Sequence, residues 1–190
     1  MLIKELPALA GGADSVVWAG GGNQDELLRA LLPMRPETPR RAADEPFDPD
    51  ALMIAFVGPD QPPDGWSAAL RGLPAGGRLL LLLGWPVADL PYHLVLDPLV
   101  GAGCQVLQAV PVDKANRHGV YCAVIAARVE RLAPLRSYLD DSPITLDGPE
   151  PGLPALLRLT GEHTFADLVV RPLRRRLAEL EAGDRPASAG

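Results

Sequence analysis

The stretch "LPAGGRLLLLLG", residues 73 to 84, limits the fold more than any other part of the sequence. Five consecutive leucines, Leu79 to Leu83, follow a proline–glycine turn and are stopped by Gly84 and Pro86. A bilayer span needs about 20 apolar residues, so this run is too short to cross a membrane. An apolar run of this length between turn signals fits either a strand buried on both faces or a piece of buried helix. The order of the neighbouring elements decides between them.

That order alternates. "DSVVWAGGGNQDELLRALLP" begins with a short run rich in β-formers, Ser15 to Ala19, and passes through Gly20, Gly21 and Gly22. It continues as Leu27, Leu28, Leu31 and Leu32 at helical spacing, with Asn23 as N-cap, Glu26 at the capping-box position and Pro33 as a stop. Residues 35 to 50, "RPETPRRAADEPFDPD", are proline-rich and charged and read as a loop with one abbreviated strand around Arg41 to Ala43. "ALMIAFVG" is a continuous apolar run of the kind parallel strands carry when both faces are covered. Helical spacing of Trp66, Leu70 and Leu73 follows, and then the leucine run. Leu90 to Gly101 is expected to be helical, "CQVLQAVPV" a strand, "DKANRHG" a turn and "VYCAVIAARV" a final strand.

Strands alternating with helices imply right-handed crossovers and a mostly parallel sheet, helices on both faces. Two strands joined by a short polar turn imply an antiparallel hairpin at the sheet's edge. The leucines are therefore read as a central strand of an α/β sheet. Thr164-Phe165-Ala166-Asp167 reads as a capping box opening a last helix to about Ala182, with Pro172 expected to kink it. The run Arg171, Arg174, Arg175 and Arg176 reads as a solvated face or an oligomer contact.

A chain of 190 residues suits one core with an appendage. The expected division is residues 1–130 as the α/β domain, 131–183 as a helical extension packed on that domain or on a partner, and 184–190 as a flexible tail. A net charge of −6 argues against a phosphate-backbone footprint, so no nucleic-acid partner is expected. Cys104 and Cys122 lie in apolar surroundings without CxxC spacing or neighbouring histidines, which makes them buried structural thiols and leaves no metal site expected. The N-terminus carries acidic residues and too short an apolar run for a secretory signal, so a cytoplasmic location is expected.

Residues 47 to 129, with "FDPDALMIAFVG", "LPAGGRLLLLL" and "GAGCQV" in succession and a closing hairpin, resemble the C-terminal half of class I S-adenosylmethionine-dependent methyltransferases. "VVWAGGGNQ" extends the resemblance towards the N-terminus. The resemblance implies a three-layer Rossmann-like fold, an adenosyl cofactor in the crevice at the carboxyl ends of the strands, and a closing antiparallel hairpin. It assigns Gly20, Gly21, Gly22 and Asn23 to the cofactor turn, Asp44 or Glu45 to the ribose hydroxyls, and Gly58 and Asp60, after the second strand, to cofactor binding. Gln24 replaces the third glycine of that turn, and Trp18 stands where the family carries an acid. About 28 residues separate Gly22 from Ala51, too few for a further strand and crossover, so the sheet is expected to lack one strand–helix unit.

Methyl transfer needs alignment of the acceptor and, for some acceptors, a base. Three histidines are present: His93 after the leucine strand is the weak catalytic candidate, while His118 reads as a solvent-facing turn residue and His163 as a local structural residue. Trp66 and Trp85 read as packing residues. Two functions stay open. One is a degenerate methyltransferase-like module that binds a protein or metabolite, or forms homo-oligomers, through its C-terminal helix. The other is an active small-molecule methyltransferase with an atypical cofactor loop.

Overall fold

The computed structural model describes residues 1–11, 15–19, 25–32, 40–42, 47, 50–60, 64–113, 117–132 and 152–183. Gly20, Gly21, Gly22, Asn23, Asp44 and Glu45 lie outside these residues. The described strands are β1 (Val16–Trp18), β2 (Arg40–Ala42), β3 (Leu52–Val57), β4 (Arg78–Leu83), β5 (Cys104–Pro111) and β6 (Cys122–Arg128). They form one mixed sheet in the order β2-β1-β3-β4-β6-β5. β2, β1, β3 and β4 run parallel, and β6 lies antiparallel between β4 and β5. The described α-helices are α1 (Leu6–Leu9), α2 (Asp25–Leu31), α3 (Asp64–Leu70), α4 (Tyr92–Gly101) and α5 (Leu153–Gly183).

The leucine run is β4, and it explains itself once the layers are seen. Side chains alternate along a strand. Leu79, Leu81 and Leu83 join the core with Leu70 of α3, Leu96 of α4 and Phe165 of α5. Leu80 and Leu82 join the opposite core with Leu6 of α1 and Leu28 of α2. All five are fully buried, each worth roughly 1.5–3 kcal/mol over an exposed position. An unbroken apolar run is the pattern a strand needs when both its faces are covered.

The turn that feeds this strand depends on two glycines. Gly76 has φ +79°, the left-handed region, and its N–H donates to Arg128 O at 2.8 Å. A Cβ on Gly77 would fall 2.8 Å from Pro74 O and 2.9 Å from Leu73, so only glycine lets the chain turn this tightly.

Two expectations are corrected. The last helix does not start at a Thr164 capping box: α5 begins at Leu153 with Pro154 in its first turn, where a missing N–H costs nothing. Thr164 is mid-helix, and its hydroxyl donates back to Thr160 O at 2.9 Å, a local bond that Ser and Thr make inside helices as well as at caps. The helix expected over Leu90 to Gly101 starts two residues later: a 3₁₀ turn (Val87–Asp89) and an extended Leu90 precede Pro91, and α4 runs from Tyr92 to Gly101. Pro91 disfavours the helical conformation for Leu90, which sits at ψ 114°.

α5 packs across β5 and α4. Close approach to α4 is possible because residue 161 is glycine: a Cβ there would lie 2.3 Å from Leu96 Cδ1. The Arg158 guanidinium donates to Asp97 Oδ1 at 2.8 Å across the same junction. Among the described residues, no helix is long and apolar enough to cross a membrane.

Candidate functional site

The sheet reverses its strand order between β1 and β3, with β2 on one side and β4 on the other. Ligands of open α/β sheets bind beyond the carboxyl ends of the strands at such a point. Here that end is built from Trp18 at the end of β1 and Ala19 after it, Gly58 after β3, and Gly84 and Trp85 after β4. Backbone hydrogen bonds fix the edge: Ala19 N–H donates to Ile54 O at 2.9 Å, and Gly84 N–H to Val57 O at 2.8 Å.

Phe56 shapes this end, and nothing in the sequence singled it out. A Cβ on Gly84 would lie 2.9 Å from Phe56 Cζ and 3.2 Å from Gly58 Cα, while one on Gly58 would lie 3.1 Å from Phe56 Cε1. The ring therefore lies flush against both glycines. The signal available beforehand was the pair Gly58 and Gly84, one just past each strand, which strand pairing places side by side.

Of the residues assigned to a cofactor, the structure describes Gly58 and Asp60. Gly58 is buried and Asp60 is exposed in the turn that follows it. Their proximity is that of chain neighbours. The Phe56 ring lies over Gly58 and Gly84, and Trp18 ends β1 at the position where the resemblance implies an acid for an adenosyl cofactor. No step through such a cofactor is derived.

A second concavity lies at the same end of the sheet, where α5 passes the segment after β4. It is an open groove of about 390 Å³. Val87, Leu90 and Tyr92 form one wall, and Glu162, Phe165, Ala166 and Val169 of α5 form the other. The Tyr92 and Phe165 ring centroids are 6.0 Å apart. An apolar channel with one carboxylate suits an aliphatic or aromatic moiety that carries, or lies beside, a positive charge.

His93 is exposed in the first turn of α4, its ring edge-on to Tyr92 at 6.1 Å. It adjoins the groove through Tyr92 and does not line it. His118 is half-buried in the turn before β6, and His163 lies half-buried inside α5. Trp66 is 2% exposed within the core, and Trp85 packs at the edge of that core.

Cys104 and Cys122 are buried free thiols on β5 and β6. Burial pushes the Cys104 thiol up to about 11, with Arg128 partly opposing it, and pushes Cys122 up to about 12. Both are thus poor nucleophiles at neutral pH. Among the described residues, no group of three or more His, Cys, Asp and Glu side chains is placed to hold a metal ion. No family model matches the chain, and no curated protein matches it significantly.

Proposed function

We propose that this chain is a shortened, Rossmann-like and methyltransferase-like module that acts by binding a protein or metabolite rather than by methyl transfer. The observation that carries this reading is the sheet: a parallel part with helices on both faces, closed by a last strand inserted antiparallel between β4 and β5. Between Leu31 and Leu52 the described chain contributes one three-residue strand, in keeping with a sheet short of one strand–helix unit. The Phe56 ring against Gly58 and Gly84, together with Trp18 at the end of β1, supports binding over catalysis.

The test is isothermal calorimetry of the full chain with S-adenosylmethionine and S-adenosylhomocysteine. The expected result is no saturable binding in the micromolar range. Micromolar binding that is weakened by Gly20→Val or Gly22→Val would overturn the non-catalytic reading and favour an active methyltransferase.

A further inference from the structure

The face of α5 turned away from the sheet carries apolar residues that the fold does not cover. Leu159, Val169, Leu173, Leu177 and Leu180 are 42%, 43%, 65%, 56% and 56% exposed, half of the large exposed hydrophobic residues described for the chain. Chains in water rarely leave a large apolar patch exposed, and Val169, Leu173, Leu177 and Leu180 lie on one side of the helix. The spacing is informative. Val170, Leu173, Leu177 and Leu180 follow one another at intervals of three, four and three, the pattern of a helix that packs lengthwise against another helix. Continued backwards, the same pattern passes through Ala166, His163, Leu159 and Leu156, spanning about 36 Å of helix. The opposite face, with Leu157, Gly161, Phe165 and Leu168, is the one buried against the chain's own core.

We infer that α5 pairs with α5 of a second copy of this chain, antiparallel, with the midpoint of the pairing at residue 168. The stripe is self-complementary in that orientation: Leu156 meets Leu180 of the second copy, and Leu159 meets Leu177. Ala166 meets Val170, and His163 meets Leu173. Charges agree with this direction. Antiparallel pairing sets Glu162 beside Arg176 of the second copy, twice by symmetry, on the flanks of the stripe. Arg176 is free to exchange, since its present contact with Glu179, at 3.2 Å, is a solvent-exposed pair within one helix. The groove extends the contact: Glu162, Ala166 and Val169 are its α5 wall, so the Tyr92 and Leu90 side lies along one edge of the paired helices.

This pairing deepens the binding reading above by naming a second copy as the partner. Its test is independent of the calorimetry: a monomeric chain would refute the pairing and leave the cofactor result standing.

The experiment is analytical ultracentrifugation of the full chain over micromolar concentrations, with circular dichroism as the check on folding. The expected mass is twice the 20.2 kDa of one chain. Leu173→Glu with Leu177→Glu, both exposed in one copy, should leave the dichroism and melting curve in place and raise the dissociation constant at least 100-fold. Arg176→Glu and Glu162→Arg should each weaken the dimer about tenfold, and the double variant E162R/R176E should recover most of that loss. A monomer at ~100 μM overturns the inference. So does a dimer indifferent to the leucine substitutions, or one that the charge swap fails to restore.

Discussion

Gly161→Ala tests how α5 is seated. A methyl group at residue 161 would lie 2.3 Å from Leu96 Cδ1 and 3.4 Å from Leu96 Cγ. Carbon atoms pack at about 3.5–4 Å, so helix and side chain must part by more than 1 Å. Leu96 is 0% exposed and held by the close-packed core, so it has little room to yield. Overpacking of this kind costs about 1–3 kcal/mol, against a helix-propensity gain of about 1 kcal/mol for replacing glycine with alanine. The control is Gly101→Ala at the end of α4, where a Cβ meets nothing within 4 Å. That substitution should be neutral or stabilising by up to about 1 kcal/mol. Urea denaturation followed by circular dichroism should therefore place Gly161→Ala about 1–3 kcal/mol below Gly101→Ala. At roughly 2–4 °C per kcal/mol for a chain of this size, thermal melts should separate the two clearly. In a Leu96→Val background, which removes the offending methyl, Gly161→Ala should become neutral or stabilising. If Gly161→Ala stabilised the unmodified protein as much as Gly101→Ala does, the close seating of α5 on α4 would be wrong.

Gly76→Ala should destabilise by about 1–2 kcal/mol in the same urea assay, although a Cβ there touches nothing, because φ +79° is strained for any L side chain. Gly76→Asn should cost less, since asparagine tolerates that conformation better. At pH 8 a chromogenic disulfide reagent should label neither Cys104 nor Cys122 in the folded protein within minutes, and both in guanidinium; rapid labelling of native protein would contradict their burial. Both thiols are raised in the folded state above the ordinary value of 9.0, so the unfolded chain loses these protons first as pH rises. Their contribution to stability is complete below about pH 9 and is lost between there and pH 11 to 12, and denaturation midpoints measured across that range should fall less steeply in Cys122→Ala.

The sheet was readable because its strongest strands announce themselves. "ALMIAFVG" and "RLLLLLG" are unbroken apolar runs ended by glycine, and the structure has strands at Leu52–Val57 and Arg78–Leu83. The abbreviated strand expected around Arg41 to Ala43 is found one residue earlier, at Arg40–Ala42. The start of α5 was not readable. Thr164 and Asp167 have the residue types of a helix cap, but Asp167 is buried and paired with Arg171 one turn on, and tertiary packing through Leu157 and Gly161 extends the helix backwards over local preference. The groove escaped notice for a related reason. Tyr92 and Phe165 are 73 positions apart in sequence, and only the packing of α5 across α4 brings their rings together. Six of the proposed cofactor residues lie outside the described chain, and Gly58 is meaningful only beside Phe56, a contact that alternation along a strand does not reveal.

The position of β6 also governs what happens while the chain is being made. β4 has β3 on one side and waits for β6 on the other, although β6 is not complete until residue 128. Until β6 is in place, β4 holds five leucines in a strand with one open edge, a row of unpaired N–H and C=O groups that invites another chain. β5 gains no place in the sheet until β6 arrives to join it, and α5, which lies on β5, comes later still. The last of the described strands is thus the one that covers the open edge of β4, and a chain truncated before Val120 should be more prone to aggregate than one that includes β6.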